Sequence, residues 1–208
     1  VGATVLAQLK LTNNADVQFG NLSATTPGHV FLSPTGSSHT NTGVSTSVGK
    51  FTVEGSTTGS VKVTWPANIV LNSSVGGNTL IYNLQVNGNG SDLASGSTIL
   101  GTGGLGVATT ADITLVAGKY YLYVGGKVGG TAGSPANLNA QATGVYSGIA
   151  NFRAETINPF FIPLLGWVEG DLFENKPYRS TYPMMNKIIL MMSLYTALNW
   201  CKAQVSIA

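Results

Sequence analysis

Charged side chains are scarce in this sequence: Asp, Glu, Lys and Arg together make up 9% of 208 residues, against about 25% in an ordinary soluble domain. The formal charge is only +2 and the basic residues are scattered. They form no stripe able to follow a phosphate backbone, so nucleic acid is not an expected partner. A surface with so few charges has little to keep copies apart, and self-association is the default expectation. Cysteine occurs once, as Cys201, which excludes an intrachain disulfide and says nothing of redox compartment. Before residue 158 no segment carries a 3.6-residue apolar period, so no amphipathic helix is expected there. The most apolar run, residues 188–200, is shorter than the ~20 residues of a membrane-crossing helix, and no stable membrane span is expected.

In place of charge stand glycine, 27 residues of it, and abundant Ser, Thr and Asn, a palette suited to turns and to the exposed faces of strands. The strongest strand signal is residues 144–156. Tyr146, Gly148, Ala150, Phe152 and Ala154 share one parity and Ser147, Asn151, Arg153 and Glu155 the other, the period-two pattern of a strand with one dry face. Its glycines mark places where a neighbouring backbone or ring comes close. Residues 3–12 alternate likewise, with Val5, Ala7, Leu9 and Leu11 against Thr4, Gln8 and Lys10. Phe51 and Val53, then Val61, Val63 and Trp65, read as a hairpin; Leu80, Tyr82, Leu84 and Val86 as a further strand; residues 112–116 and 120–125 as two more around the turn Ala117-Gly118. Residues 35–48 and 87–110 lack periodicity and read as a surface loop and a long insertion. Short strands at regular spacing with turn signals between them specify an all-β sandwich or barrel. At this length one such domain with an appendage buries roughly 70% of its unfolded surface.

Constellations that carry chemistry are few. Residues 101–106, Gly-Thr-Gly-Gly-Leu-Gly, satisfy the dinucleotide pattern by letter, but they lead into a strand at 109–113 and offer no helix terminus to a pyrophosphate. His29 and His39 have no Gly-x-Ser-x-Gly elbow ahead of a helix to serve. Asp16, Glu54, Asp92, Asp112 and Glu155 are scattered singly, without the spacing of a calcium loop. No catalytic residue, metal or cofactor is therefore expected, and the chain reads as a non-enzyme. Tyr120, Tyr121 and Tyr123 occupy both parities of one strand, which turns at least one ring outward and makes them the candidate glycan patch.

Several stretches, in order, resemble the landmarks of the bacterial domain of unknown function 4402 family. They are residues 15–22 (Ala-Asp-Val-Gln-Phe-Gly-Asn-Leu), 28–36 (Gly-His-Val-Phe-Leu-Ser-Pro-Thr-Gly), 50–55 (Lys-Phe-Thr-Val-Glu-Gly), 122–126 (Leu-Tyr-Val-Gly-Gly) and 144–148 (Gly-Val-Tyr-Ser-Gly). The resemblance covers roughly residues 3–158 and implies a secreted antiparallel sandwich of immunoglobulin-like or fimbrial type, with no enzymatic activity and no defined site to transfer. Residues 87–110 are longer than the family's pattern, and residues beyond 158 lie outside it.

The division expected is a sandwich over residues 1–158 and a tail over 159–208. Within the tail, Met185-Asn186-Lys187, the apolar run 188–200 and Cys201-Lys202-Ala203 have the anatomy of a secretory signal peptide, cut after Ala203. At a carboxyl end this fits the start of a following, similar coding unit or a permuted order; the alternative is a short helix packed on the sandwich. The functional expectation is an exported structural subunit at the cell surface, assembling with itself into a filament or matrix. The first strand is the expected donor, with Ala3, Val5, Ala7, Leu9 and Leu11 filling a neighbour's open edge or their own domain's. An adhesin or carbohydrate-binding module, contacting surface glycans through the tyrosines, is the alternative.

Overall fold

A computed structural model of the chain describes residues 8–22, 29–37, 39–40, 46–103, 109–129, 142–157 and 200–207. Apart from the three-residue 3-10 helix Ala94–Gly96, its regular elements are all strands: β1 (Lys10–Ala15), β2 (Val30–Leu32), β3 (His39–Thr40), β4 (Gly49–Glu54), β5 (Ser60–Trp65), β6 (Asn68–Ser73), β7 (Thr79–Asn89), β8 (Thr98–Thr102), β9 (Thr109–Thr114), β10 (Lys119–Gly129), β11 (Tyr146–Thr156) and β12 (Trp200–Ile207). Every ladder is antiparallel. One sheet runs β1-β4-β10-β7-β6, with β2 and β3 added at β10 and β8 at β7; the other holds β9, β5, β11 and β12.

The alternation of the sequence explains which side chains meet between the sheets. From the first sheet come Leu11, Phe51, Val53, Tyr82, Leu84, Val86, Leu122 and Val124, and from the second Val61, Val63, Trp65, Ile113, Ala150, Phe152 and Ala154, all buried in one core. Three rings join the layers. Phe51 of β4 stacks on Phe152 of β11 at 4.4 Å between centroids, and Trp65 of β5 lies beyond Phe152 at 6.4 Å. Such pairs contribute about 0.5–1.5 kcal/mol beyond the area they bury.

The strand signal read at residues 144–156 corresponds to β11, Tyr146–Thr156. β11 begins beside β6, at Tyr146 and Ser147, and ends beside β5, at residues 153–156, so it passes from one sheet to the other. Gly148 lies at that crossing. A side chain there would come within 2.8 Å of the Val70 carbonyl oxygen, which is why the position holds glycine. The insertion 87–110 is not unstructured throughout: it carries the 3-10 turn and β8, which pairs with β7 through a register shift at Val86/Asn87. Likewise β3, β6 and β12 have no counterpart in the strand reading of the sequence; residues 17–22, outside the named strands, are held by the Gln18–Ser47 bridge.

Candidate functional site

The feature with most bearing on function is the edge of β11. Among the described residues, β6 reaches only Tyr146 and Ser147 of this strand, and β5 only residues 153–156. Residues 148–152 have one strand partner, β12, whose ladder runs from Gly148↔Ile207 through Phe152↔Ala203 to Glu155↔Trp200. Across from β11, the backbone of β12 also comes within 8 Å of β1, Cα to Cα. The late strand therefore lies in the seam between the first and last strands of the sandwich. In register, Cys201, Ala203, Val205 and Ile207 stand opposite Ala154, Phe152, Ala150 and Gly148, the positions of the dry parity, while Lys202 and Gln204 stand opposite Arg153 and Asn151.

On the outer face of the first sheet a polar cluster has formed around Asp92, carried by the loop after β7. The Lys50 ammonium reaches both Asp92 oxygens, at 2.6 and 2.7 Å, and the Tyr123 hydroxyl donates to Oδ1 at 3.0 Å. These hydrogen bonds, that of Lys50 first, hold the Asp92 carboxyl below its usual ionisation range. Lys50 also lies 5.4 Å from the Tyr121 ring centroid, a cation–π contact. At the sheet margin, Glu54 pairs with Lys119 at 3.1 Å and with Lys10 at 3.9 Å across the β1-β4-β10 register. These contacts fasten a loop and two strand ends.

The residues singled out from sequence are distributed as follows. Leu9 and Leu11 are buried in the core of their own domain, and β1 pairs with β4 of the same chain. Ala3, Val5 and Ala7 lie outside the described residues. The three tyrosines do not form one platform: Tyr123 is buried beneath Asp92, Tyr120 packs against the core from the opposite face, and Tyr121 is half-buried beside Lys50. His29 precedes β2, half-buried, and His39 lies in β3. Gly101 of the glycine-rich motif belongs to β8, and residues 104–106 of it are not described. Of the segment resembling a signal peptide, residues 185–199 are not described, and residues 200–203 lie in β12. Among the described residues no group of His, Cys, Asp and Glu is arranged to hold a metal, and no helix is long and apolar enough to cross a membrane. What sequence reading missed is the β11 edge and its partner strand. A signal was present, since residues 201–207 alternate between apolar and polar.

A family model described as "domain of unknown function (DUF4402)" matches residues 9–155. That span begins just before β1 and closes within β11, leaving β12 outside. No curated protein matches the chain. Among solved structures, the CooA pilin subunit from enterotoxigenic Escherichia coli is similar to 97% of this chain over 99% of its own, with 12% sequence identity and a TM-score of 0.32.

Proposed function

The chain belongs to the DUF4402 family, and from that premise we propose that it is a non-enzymatic structural subunit, exported to the cell surface or beyond, which assembles with copies of itself into a filament or matrix. The observation that carries this reading is the β11 edge. In this chain the strand that lies along β11, β12, falls outside the span that the family model matches. A domain built to take an added strand has the main-chain chemistry of assembly already in place, because each N–H and C=O along the edge is satisfied by whichever strand arrives. The low charge of the surface, 9% of residues, removes the usual guard against such pairing.

Donation through residues 3–12 is the form suggested by the sequence. It would move Leu9 and Leu11 from a core where both are buried, and the β1–β4 ladder with them, into a neighbour. Strand addition at β11 leaves that core and ladder in place and displaces only β12, which makes it the preferred form. The test is electron microscopy of the protein as purified from producing cells, with mass spectrometry of both termini. Regular fibres or sheets built from a chain that retains residues 200–207 are the expected result; monodisperse particles at all concentrations would overturn the reading.

A further inference from the structure

Two side chains of the first sheet are buried on the side that strand alternation turns to solvent. Tyr123 of β10 and Asn87 of β7 stand opposite one another in register, on the parity opposite to that of the core residues Leu122, Val124 and Val86. They are nevertheless only 4% and 3% exposed. Both are hydrogen-bonded to the loop of residues 90–97 that joins β7 to β8: the Tyr123 hydroxyl donates to Asp92 Oδ1 at 3.0 Å, and Asn87 Nδ2 to the Ser97 hydroxyl at 3.3 Å. Asp92 goes on to meet Lys50 of β4 at 2.6 and 2.7 Å. In the order β4-β10-β7, a loop that starts on β7 is thus fastened two strands away, across β10. We propose that residues 90–97 are a releasable strap whose catch is the Asp92 carboxylate: protonation of that carboxylate lifts the strap while the sandwich stays folded, and uncovers Tyr123 and Asn87 beside Tyr121 and Lys50.

The strap has little else to hold it down. No residue from 91 to 97 is buried, and Leu93 is 55% exposed, so apolar burial contributes little. Its other hydrogen bonds among the described residues are internal or to its own stem: the Ser91 N–H to Asn89 Oδ1, Asn89 Nδ2 to the Leu93 carbonyl, the Leu93 N–H to the Ser91 carbonyl, and the Ser97 N–H and hydroxyl to the Ala94 carbonyl. These keep the loop's shape wherever it lies. Only Asp92 ties its tip to other strands. The titratable groups around that carboxylate are Lys50 from β4, Tyr123 from β10 and, beyond Lys50, Tyr121; β7 and β8 carry no charged side chain. Lysine and tyrosine keep their protons throughout the acid range, so the carboxylate alone changes state there. The hydrogen bond from Lys50 first, then that from Tyr123, holds Asp92 ionised below the usual carboxylate range. The sign follows: the catch is fully fastened above the free aspartate value of ~3.9 and loosens as pH falls through the lower value of the closed strap, where charge-assisted hydrogen bonds give way to neutral ones.

Asp92→Asn removes the charge at neutral pH and serves as the open state. In hydrogen exchange of the full-length chain at pH 7, amides of residues 90–97 in this variant should exchange about tenfold faster than in the wild type, the scale of one lost charge-assisted contact, with the amides of β4, β10 and β11 unchanged. Acidification of the wild type should produce the same opening at constant far-UV circular dichroism. It is followed by the Tyr123 ring resonances, assigned by loss in Tyr123→Phe and broadened by a soluble paramagnetic agent once the ring is uncovered. The midpoint should lie below the ordinary aspartate value, and Lys50→Gln should move it upward by removing the ammonium that keeps Asp92 ionised. An Asp92→Asn loop that exchanges at the wild-type rate overturns the strap. So does a wild-type Tyr123 ring that the agent reaches only as the strand signal is lost, since the loop would then open with the whole domain.

Discussion

Tyr82 is fully buried, and its hydroxyl donates a 2.7 Å hydrogen bond to the Gly125 carbonyl across the β7–β10 ladder. Burial drives its ionisation far above the ordinary tyrosine range, and Tyr123 moves the same way, through burial first and its hydrogen bond to Asp92 second. In both cases the folded group holds its proton to higher pH than the unfolded one. The stability this represents is complete below the unfolded value near ~10 and is lost as pH climbs above it, where the unfolded chain binds fewer protons than the folded. Equilibrium unfolding in urea should therefore give a midpoint that falls steeply above pH ~10, with tyrosinate absorbance from these rings appearing only as the chain unfolds. Tyr82→Phe should lower stability at neutral pH by about 1 kcal/mol, for a lost hydrogen bond, yet flatten the alkaline decline because one titrating group is gone. An unchanged alkaline slope in that variant would mean that Tyr82 ionises in the folded state.

Among the elements, the turn between β9 and β10 is the most constrained. Ala117 and Gly118 both have positive φ, 50° and 80°, the requirement of a type I′ turn. Its backbone is pinned to the β4–β5 hairpin by Gly55 N to Gly118 O and Gly118 N to Thr57 O, each 3.0 Å. Alanine is a poor occupant of the left-handed region, where Asn is more readily accommodated. Ala117→Asn should stabilise the fold by about 0.5–1 kcal/mol and raise Tm by about 1–4 °C, measurable by calorimetry; a loss of stability would show that the turn relies on the small apolar side chain.

Alternation found β4, β5, β7, β10 and β11 because each of these strands has a dry face for most of its length. It passed over β6, where Ile69, Val70 and Leu71 follow in succession and Val70 is 46% exposed, and over β8, where Thr98 and Ile99 both face solvent and Leu100 alone packs against the core. The alternation of β12 is legible in Cys201, Ala203, Val205 and Ile207, but the apolar run just before it has the form of a signal peptide and dominates a local reading. Its pairing with β11 is a contact across about 40 residues of chain, and contacts of that separation leave no imprint on local periodicity.

At the scale of the whole molecule, the low charge fixes what kind of force can hold copies together. The ion pairs described here are peripheral, with Lys10, Lys119 and Asp92 side chains 66%, 52% and 52% exposed, and exposed pairs contribute about 0–1 kcal/mol before salt screens them. An assembly joined by a strand ladder rests instead on main-chain hydrogen bonds and on the apolar positions flanking them, neither of which a Debye length of ~10 Å at 0.1 M salt affects. Light scattering should accordingly show the same mass distribution at about 0.05 and 0.5 M sodium chloride. Ammonium sulfate, which strengthens apolar burial by exclusion from the protein surface, should shift the distribution upward. Dissociation by sodium chloride alone would transfer the joint from the β11 edge to the charged margins, where Glu54 links β1, β4 and β10, and would require a different contact surface for the assembled protein.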